Sequence, residues 1–332
     1  MTTTRRAPGL RPGTPLREEL AAAAPGRVRF DEPMRLHTTF HIGGPAEVWA
    51  EPQGPEQLQR LLEAARDGGL PITVVGGGAN LLVRDEGIPG LVVHLAAQAF
   101  RELTRVPGTD LGYSQVPGTG LVVGAGLPIE WLVRRAQEEG LSGVEFLAGV
   151  PGRVGGAVRM NAGTHDDEGK PHSVSDVVRW ISVMDLQGRT RELLREEIPF
   201  RYRFSGLSDV IVLGAALALT PDDPGAIAAR AQRLWDFKKR TQDWSAPSVG
   251  CIFKNPDGQS AGRLIDEAGL KGHRVGGAAI SGKHANFIMN AGDATARDVL
   301  ALIEEARGRV LRRSGIKLEL EVQVLPAEGG TG

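Results

Sequence analysis

Ile72-Thr-Val-Val-Gly76-Gly77-Gly78-Ala79-Asn80-Leu81-Leu82 is the stretch that decides how this chain folds. Its apolar, β-branched start predicts a short strand. Three successive glycines then let the backbone turn tightly or lie against a ligand. A Rossmann fingerprint would need a helix directly after the glycines, its N-terminus facing a pyrophosphate. Here the chain runs into Arg84-Asp85-Glu86-Gly87-Ile88-Pro89-Gly90, which is turn material. A P-loop is excluded as well, because no Gly-Lys-Ser/Thr follows. What remains is a strand and a backbone nest, whose N–H groups suit a pyrophosphate.

A second glycine cluster reads Gly149-Val150-Pro151-Gly152-Arg-Val-Gly155-Gly156-Ala-Val-Arg-Met-Asn161-Ala-Gly163. So many glycines would weaken a strand interior. The two clusters are therefore either opposite walls of one phosphate-bearing cofactor or a pair of tight turns at a domain junction. Gly277-Ala-Ala-Ile-Ser-Gly282-Lys283-His284 has Walker spacing, but His284 stands where Ser or Thr must ligate Mg²⁺.

Between the clusters the apolar spacing is helical. Leu58, Leu61, Leu62 and Ala65 share one face; so do Ile129, Leu132, Val133 and Ala136 after Pro128, and Val299, Leu302, Ile303, Ala306 and Val310. Ala226–Arg240 is a fourth helix. Strands are expected at Ile72–Val75, Leu91–Leu95, Leu121–Val123, Val177–Met184, Val210–Leu219, Asn286–Met289 and Leu318–Leu325. The mixture is α+β. Pro221-Asp-Asp-Pro-Gly225 reads as a linker, and the Pro/Ala/Arg-rich stretch before about Arg27 as a flexible tail.

A chain of 332 residues suggests two or three domains. Its net charge of -1 gives no global attraction to nucleic acid or anionic lipid. Cys251 is the single cysteine, so neither an intrachain disulfide nor a Cys-rich zinc site is possible, which suits a reducing cytosol. No apolar run is long enough to span a membrane. Arg5-Arg6 is not read as an export signal, because prolines and Glu18-Glu19 interrupt any apolar region after it. His165-Asp-Asp-Glu-Gly-Lys-Pro-His172 mixes metal-ligand types, but it reads as a solvated loop, and no metal is expected.

Taken together, Leu36-His-Thr-Thr-Phe40-His-Ile-Gly43-Gly44-Pro45-Ala46, the two glycine clusters, Phe200-Arg-Tyr202-Arg203-Phe-Ser205 and Gly250-Cys-Ile-Phe-Lys-Asn255-Pro resemble the UDP-N-acetylenolpyruvoylglucosamine reductase (MurB) family. The resemblance runs from about Pro33 to Leu325. It implies a vanillyl-alcohol-oxidase-type FAD-binding fold in two subdomains, 28–97 and 98–220. A C-terminal α+β substrate-binding domain at 221–326 would follow, with tails at 1–27 and 327–332. It implies FAD held by Gly76, Gly77, Gly78, Ala79, Asn80, Leu81, Val150, Pro151, Gly152, Gly155, Gly156, Asn161 and Gly163. Ala79 departs from the family's usual Ser, which removes one hydroxyl donor.

The resemblance also implies NADPH as co-substrate and UDP-N-acetylglucosamine enolpyruvate as substrate, reduced to UDP-N-acetylmuramate for peptidoglycan synthesis in the cytoplasm. Hydride passes from reduced flavin to the enolpyruvyl group. Arg203 and Glu321 map onto positions that stabilise the developing carboxylate charge, and Cys251, where the family usually has Ser, onto the proton donor. Tyr202, Lys254, Asn255 and His284 map near the substrate. A free thiol titrates near 8.5 and is mostly protonated at neutral pH, although a cation such as Lys254 would lower it. With only Tyr113 and Tyr202, the chain is similar to the shorter subtype without a Tyr-bearing loop over the UDP. A monomer is favoured. The alternative is another flavin oxidoreductase of the same fold, acting on a hydroxy acid or sugar.

Overall fold

The computed structural model describes residues 10–107, 119–166 and 169–327. Tyr113, Asp167, Glu168, residues 1–9 of the first expected tail and 328–332 of the second lie outside the described residues.

Residues 10–27 are not a tail. Pro15–Ala23 forms a helix, α1, with Pro15 in its first turn, and buries Leu20 and Ala23, while Leu10 just before it is buried too. Arg17 lies over the Phe30 ring at 3.7 Å. The Pro/Ala/Arg composition hid a short amphipathic helix that packs on α2 (Pro55–Asp67).

The first sheet holds β1 (Val28–Pro33), β2 (Pro45–Ala50), β3 (Ile72–Val75) and β5 (Ile88–His94) in the order β1-β2-β5-β3. Strand β4 (Leu81–Val83) stands apart from it. Pairing of β5 to β2 and β3 is parallel, and Leu91, Val92 and Val93 are buried in succession, as a strand covered on both faces requires. Helix α2 covers this sheet with Leu58, Leu61, Leu62 and Ala65, all buried. Each such leucine contributes about 2 kcal/mol by leaving water.

The second sheet is antiparallel. It orders β12 (Thr190–Leu194), β11 (Val178–Asp185), β13 (Val210–Pro221), β7 (Thr119–Gly124) and β6 (Leu103–Pro107), and β8 (Leu141–Ser142) pairs the end of β13. Strands β9 (Gly163–His165) and β10 (Pro171–Ser173) form a separate hairpin. Helix α3 (Ile129–Glu138) begins one residue after Pro128, which sits in extended conformation at its cap. Two short helices, α4 (Val154–Arg159) and α5 (Val174–Val177), complete this part.

Pro221-Asp-Asp-Pro-Gly225 is a tight strand-to-helix junction, not a loose linker. Asp223 caps α6 (Pro224–Thr241) by accepting from Ala226 N–H at 2.9 Å. Asp222 receives Arg230 at 2.5 Å, and Arg230 also reaches Glu145 at 2.9 Å. Helix α6 thus packs on α3 and the Glu145–Leu147 turn, on the second-sheet side of the boundary expected at residue 221.

The C-terminal part has its own core. It contains α7 (Ala261–Glu267), β14 (Arg274–Val275), β15 (Ala278–Ile280), β16 (Ile288–Asn290) and α8 (Ala296–Ser314). Thr295 and Asp298 form a capping box on α8, and Gly315 closes it in the left-handed conformation. Two devices tie this part to β4 and the turn that follows it. Asp85 accepts from Ala296 and Arg297 N–H at 2.8 and 3.1 Å, and β17 (Gln323–Leu325) pairs in parallel with β4. The expected strand Leu318–Leu325 is regular only in those last three residues. Before them the backbone departs from a ladder, because Leu318 and Val322 turn into the core and Glu321 turns to a cleft. Strand β16 likewise starts at Ile288, since Asn286 is spent on its neighbour's backbone.

Candidate active site

The two glycine loops meet. A methyl group on Gly77 would lie 2.7 Å from Gly152 Cα, so only glycine lets these backbones touch. Gly78 has φ +64, and a Cβ there would lie 2.0 Å from His37 O. Gly156, by contrast, faces open space, with nothing within 4 Å of its missing Cβ. Both readings of the clusters therefore hold at different residues: close backbone approach at Gly77 and Gly152, an open cradle at Gly156.

Replacing Gly77 with alanine is expected to force the loops apart and weaken FAD at least tenfold, the loss of about one or two hydrogen bonds' worth of fit. Fluorescence titration of the apo-protein checks this; affinity within twofold of the parent would mean that the contact is slack.

Around the loops runs a cleft of about 930 Å³, at the upper end of the range for small-molecule sites. Its lining includes Gly76, Gly77, Gly78, Ala79, Asn80, Leu81, Val150, Pro151, Gly152, Gly155, Gly156, Asn161 and Gly163. Ile72, Val74, Leu95, Ile129, Val210 and Val212 supply apolar wall, and Arg153, Arg159 and Lys238 supply positive charge. Apolar wall for flat rings, glycine backbone for a diphosphate and nearby cations are the features FAD requires.

The cations were not singled out by the sequence pattern. Lys238 sits in a basic run that reads as a helix C-terminus. Its ammonium instead donates to Ala148 O at 2.5 Å and Phe146 O at 3.5 Å, which fixes the approach to the second loop. Burial pushes it down to about 8.

The residues expected to be catalytic come from other segments. Backbone 250–254 lies between two segments. Ile252 N–H donates to Asn286 O at 2.9 Å, while Glu321 N–H donates to Ile252 O at 2.8 Å and Lys254 N–H to Glu319 O at 2.9 Å. Cys251 and Glu321 are thereby placed together from positions far apart in sequence. Asn286, which the sequence reading passed over, is buried. It accepts from Phe253 N–H at 2.9 Å and donates to Phe253 O at 2.8 Å, and its amide also reaches the Cys251 thiol. Asn80 donates to Glu321 O at 3.0 Å, so the first glycine loop is tied directly to this centre.

Arg203 Nε donates to Glu321 Oε1 at 2.6 Å, and both side chains are largely buried. Burial draws the guanidinium down, but the Glu321 carboxylate overrides this and leaves it raised. Burial lifts the Glu321 carboxyl against the pull of Arg203. The guanidinium stays charged, so the carboxylate is the member of the pair that titrates. Cys251 keeps intermediate exposure and lines the cleft. Burial pushes its thiol up to about 12, with Glu321 adding to the rise and Arg203 opposing it. The expected lowering by Lys254 does not occur, because Lys254 Nζ turns to Glu319 at 3.7 Å.

Tyr202, Arg203, Cys251, Asn255 and Glu321 line the cleft together. Lys254 and His284 do not. His284 tilts against the Phe287 ring and its Nδ1 accepts from Asn286 N–H at 3.3 Å, so it is a turn residue. Asn255 lines the cleft while its Oδ1 accepts from Ala261 N–H at 3.0 Å. Asn161 has φ +43 and a buried side chain that donates to Arg201 O at 3.0 Å and accepts from Ser175 N–H at 3.0 Å. Its amide braces the turn that presents Tyr202 and Arg203. Among the described residues no cluster of metal-ligating side chains exists, and no helix is long and apolar enough to cross a membrane.

Comparison with known proteins gives one consistent answer. Residues 46–194 match the family described as an FAD binding domain, and residues 242–325 match the family described as UDP-N-acetylenolpyruvoylglucosamine reductase, C-terminal domain. The UDP-N-acetylenolpyruvoylglucosamine reductase of Heliobacterium modesticaldum is 42% identical over 92% of this chain and 93% of its own length. That of Moorella thermoacetica is 42% identical over 94% and 97%. The crystal structure of UDP-N-acetylenolpyruvylglucosamine reductase (MurB) from Thermus caldophilus is similar with a TM-score of 0.74 and 39% identity, covering 90% of this chain and 99% of that one. The expected vanillyl-alcohol-oxidase-type FAD-binding fold with a C-terminal α+β domain is the fold found.

Proposed function

The chain belongs to the UDP-N-acetylenolpyruvoylglucosamine reductase (MurB) family, and on that premise we propose how its residues reduce UDP-N-acetylglucosamine enolpyruvate to UDP-N-acetylmuramate. The observation that carries the proposal is the convergence of Arg203, Glu321 and Cys251 on the cleft that the glycine loops line. FAD, which the two glycine loops would hold, would supply the chemistry of a hydride, two electrons and a proton from NADPH, for the terminal carbon of the enolpyruvyl double bond. Every other task falls to the protein.

Charge develops on the adjacent carbon and spreads into the substrate carboxylate. A fixed cation lowers that barrier most when it is preorganised in a dry site. Arg203 meets both conditions, since Glu321 holds its Nε and leaves the rest of its planar fork for the carboxylate. The carbanionic carbon then takes a proton from the Cys251 Sγ–H, and the thiolate left behind is reprotonated from solvent. A thiol held at about 12 is fully protonated before that step. Tyr202 and Asn255 line the same cleft, and in this reading they meet the sugar.

The first sheet and the second sheet, the latter together with α6, form the FAD-binding part in this reading, and residues 242–326 the substrate-binding part. The absence of the Tyr-bearing loop, a cytoplasmic location and a monomeric state are part of the same proposal.

Beyond the one equivalent that reduces its flavin, purified FAD-loaded protein is expected to consume NADPH only when UDP-N-acetylglucosamine enolpyruvate is present, one equivalent per enol ether lost. Oxidation that tracks dissolved oxygen and ignores this substrate would overturn the reading in favour of an oxidase.

A further inference from the structure

His94, the last residue of β5, is nine-tenths buried behind the glycine loops, and the reaction does not use it. Its Nδ1 lies 3.0 Å from Val75 O, the carbonyl immediately before Gly76. Its Nε2 lies 3.3 Å from Arg153 Nη2, in the residue immediately after Gly152. Arg153 Nη1 donates to Gly126 O at 2.5 Å. The imidazole ring stacks on Trp49 at 5.1 Å, and Trp49 stacks on His37 at 4.0 Å.

The partners fix the protonation. A carbonyl only accepts, so Nδ1 must carry the hydrogen; a guanidinium only donates, so Nε2 must present its lone pair. Only the neutral imidazole, in that tautomer, satisfies both. A second proton would remove the acceptor and set an imidazolium against Arg153. The two hydrogen bonds involve residues two before Gly77 and one after Gly152, beside the place where those glycines touch.

We infer that His94 is a positioning residue for the cofactor: a neutral imidazole that links the first glycine loop, through Val75, to the second, through Arg153, and so sets the width of the FAD cleft. This rests on the FAD reading given above. The charged or titratable groups that face His94 are Arg153, Glu51 and His37, and Arg101 in turn faces Arg153. Burial is the largest influence and lowers the imidazole to about 4. The native imidazole therefore keeps the link until pH falls through about 4, whereas its contribution to folding stability, present above the unfolded value of 6.5, is lost between 6.5 and 4.

The test is FAD affinity of the apo-protein by fluorescence titration, with apo-protein melting measured in parallel. His94→Phe keeps the ring on Trp49 and removes both hydrogen bonds; His94→Gln keeps a donor and an acceptor but does not titrate. His94→Phe and Arg153→Met are each expected to weaken FAD about tenfold, the effect of roughly one hydrogen bond. The double variant should be no weaker than the worse single, since both cut one link. His94→Gln should bind near the parent value and lack the FAD release expected of the parent as pH falls through about 4. Should His94→Phe fail to fold, the pH profile of His94→Gln decides alone. Losses that multiply in the double variant, or an unchanged acid release in His94→Gln, would overturn the link while tight parent binding leaves the FAD reading standing. No FAD binding by the parent would overturn both.

Discussion

Cys251→Ala is expected to lower turnover by roughly 10²–10⁴-fold, the usual worth of a positioned general acid, while bleaching of bound FAD by NADPH proceeds at the parent rate. The separation follows from geometry. Cys251 is held by the Asn286–Phe287 segment on one side and Glu321 on the other, within the C-terminal part, whereas the glycine loops belong to the first two sheets. Removing the thiol removes a proton from the second half-reaction and nothing from the first. Cys251→Ser is expected to keep much of the activity, because a hydroxyl at the same place carries an equivalent proton. The pH dependence discriminates further. A thiol near its free value of about 8.5 would be lost as an acid by pH 9. One raised to about 12 stays protonated, so no alkaline limb from Cys251 should appear below about pH 10. Stopped-flow bleaching and steady-state turnover of the three proteins across that range measure both claims. Turnover of Cys251→Ala within a few-fold of the parent would remove Cys251 from the acid's role.

Much of this site was legible in the sequence, and the part that was not has a common cause. Glycines that must touch, such as Gly77 and Gly152, leave a local signature, and so do the apolar faces of α2, α3 and α8. Long-range side-chain to backbone bonds leave none. Asn80 to Glu321, Lys238 to Ala148 and His94 to Val75 each join segments far apart in the chain, through residue types that are unremarkable where they stand. His284 shows the reverse case. Its neighbourhood pointed toward the substrate, but the turn at Ser281 and the ring of Phe287 direct the imidazole elsewhere. Helix α1 was missed because composition outweighed spacing: Leu16, Leu20 and Ala23 lie on one face amid Pro and Ala.

Arg203→Ala is expected to cost about 10²–10³ in kcat, the scale for removing one preorganised charge-stabilising group, and to raise KM as well. Three observations support a loss this large. Arg203 sits at φ +53, a conformation side chains rarely adopt, so the turn is built to aim this one group. Its guanidinium is the cation hydrogen-bonded to the buried Glu321, whereas the ammonium of Lys254 is turned to Glu319 at 3.7 Å. Truncation also leaves Glu321 buried without its counter-charge. The carboxyl, already raised by burial, should then rise further and titrate at a higher pH. A positive charge is thus lost and the pair's remaining member is neutralised over a wider pH range. Arg203→Lys restores charge but not the fork, because one ammonium does not hold Glu321 and the substrate carboxylate in the same plane; recovery should be partial. Glu321→Gln keeps an acceptor for Arg203 Nε and should cost less than Arg203→Ala. Combining Arg203→Ala with Glu321→Ala should cost less than the product of the single losses, since the double variant no longer buries an unpaired carboxylate. The acid limb of kcat is the deciding readout. Its upward shift in Arg203→Ala ties the rate to the pair, whereas an unmoved limb with an unchanged kcat would place the charge that stabilises the substrate carboxylate on another residue of the cleft.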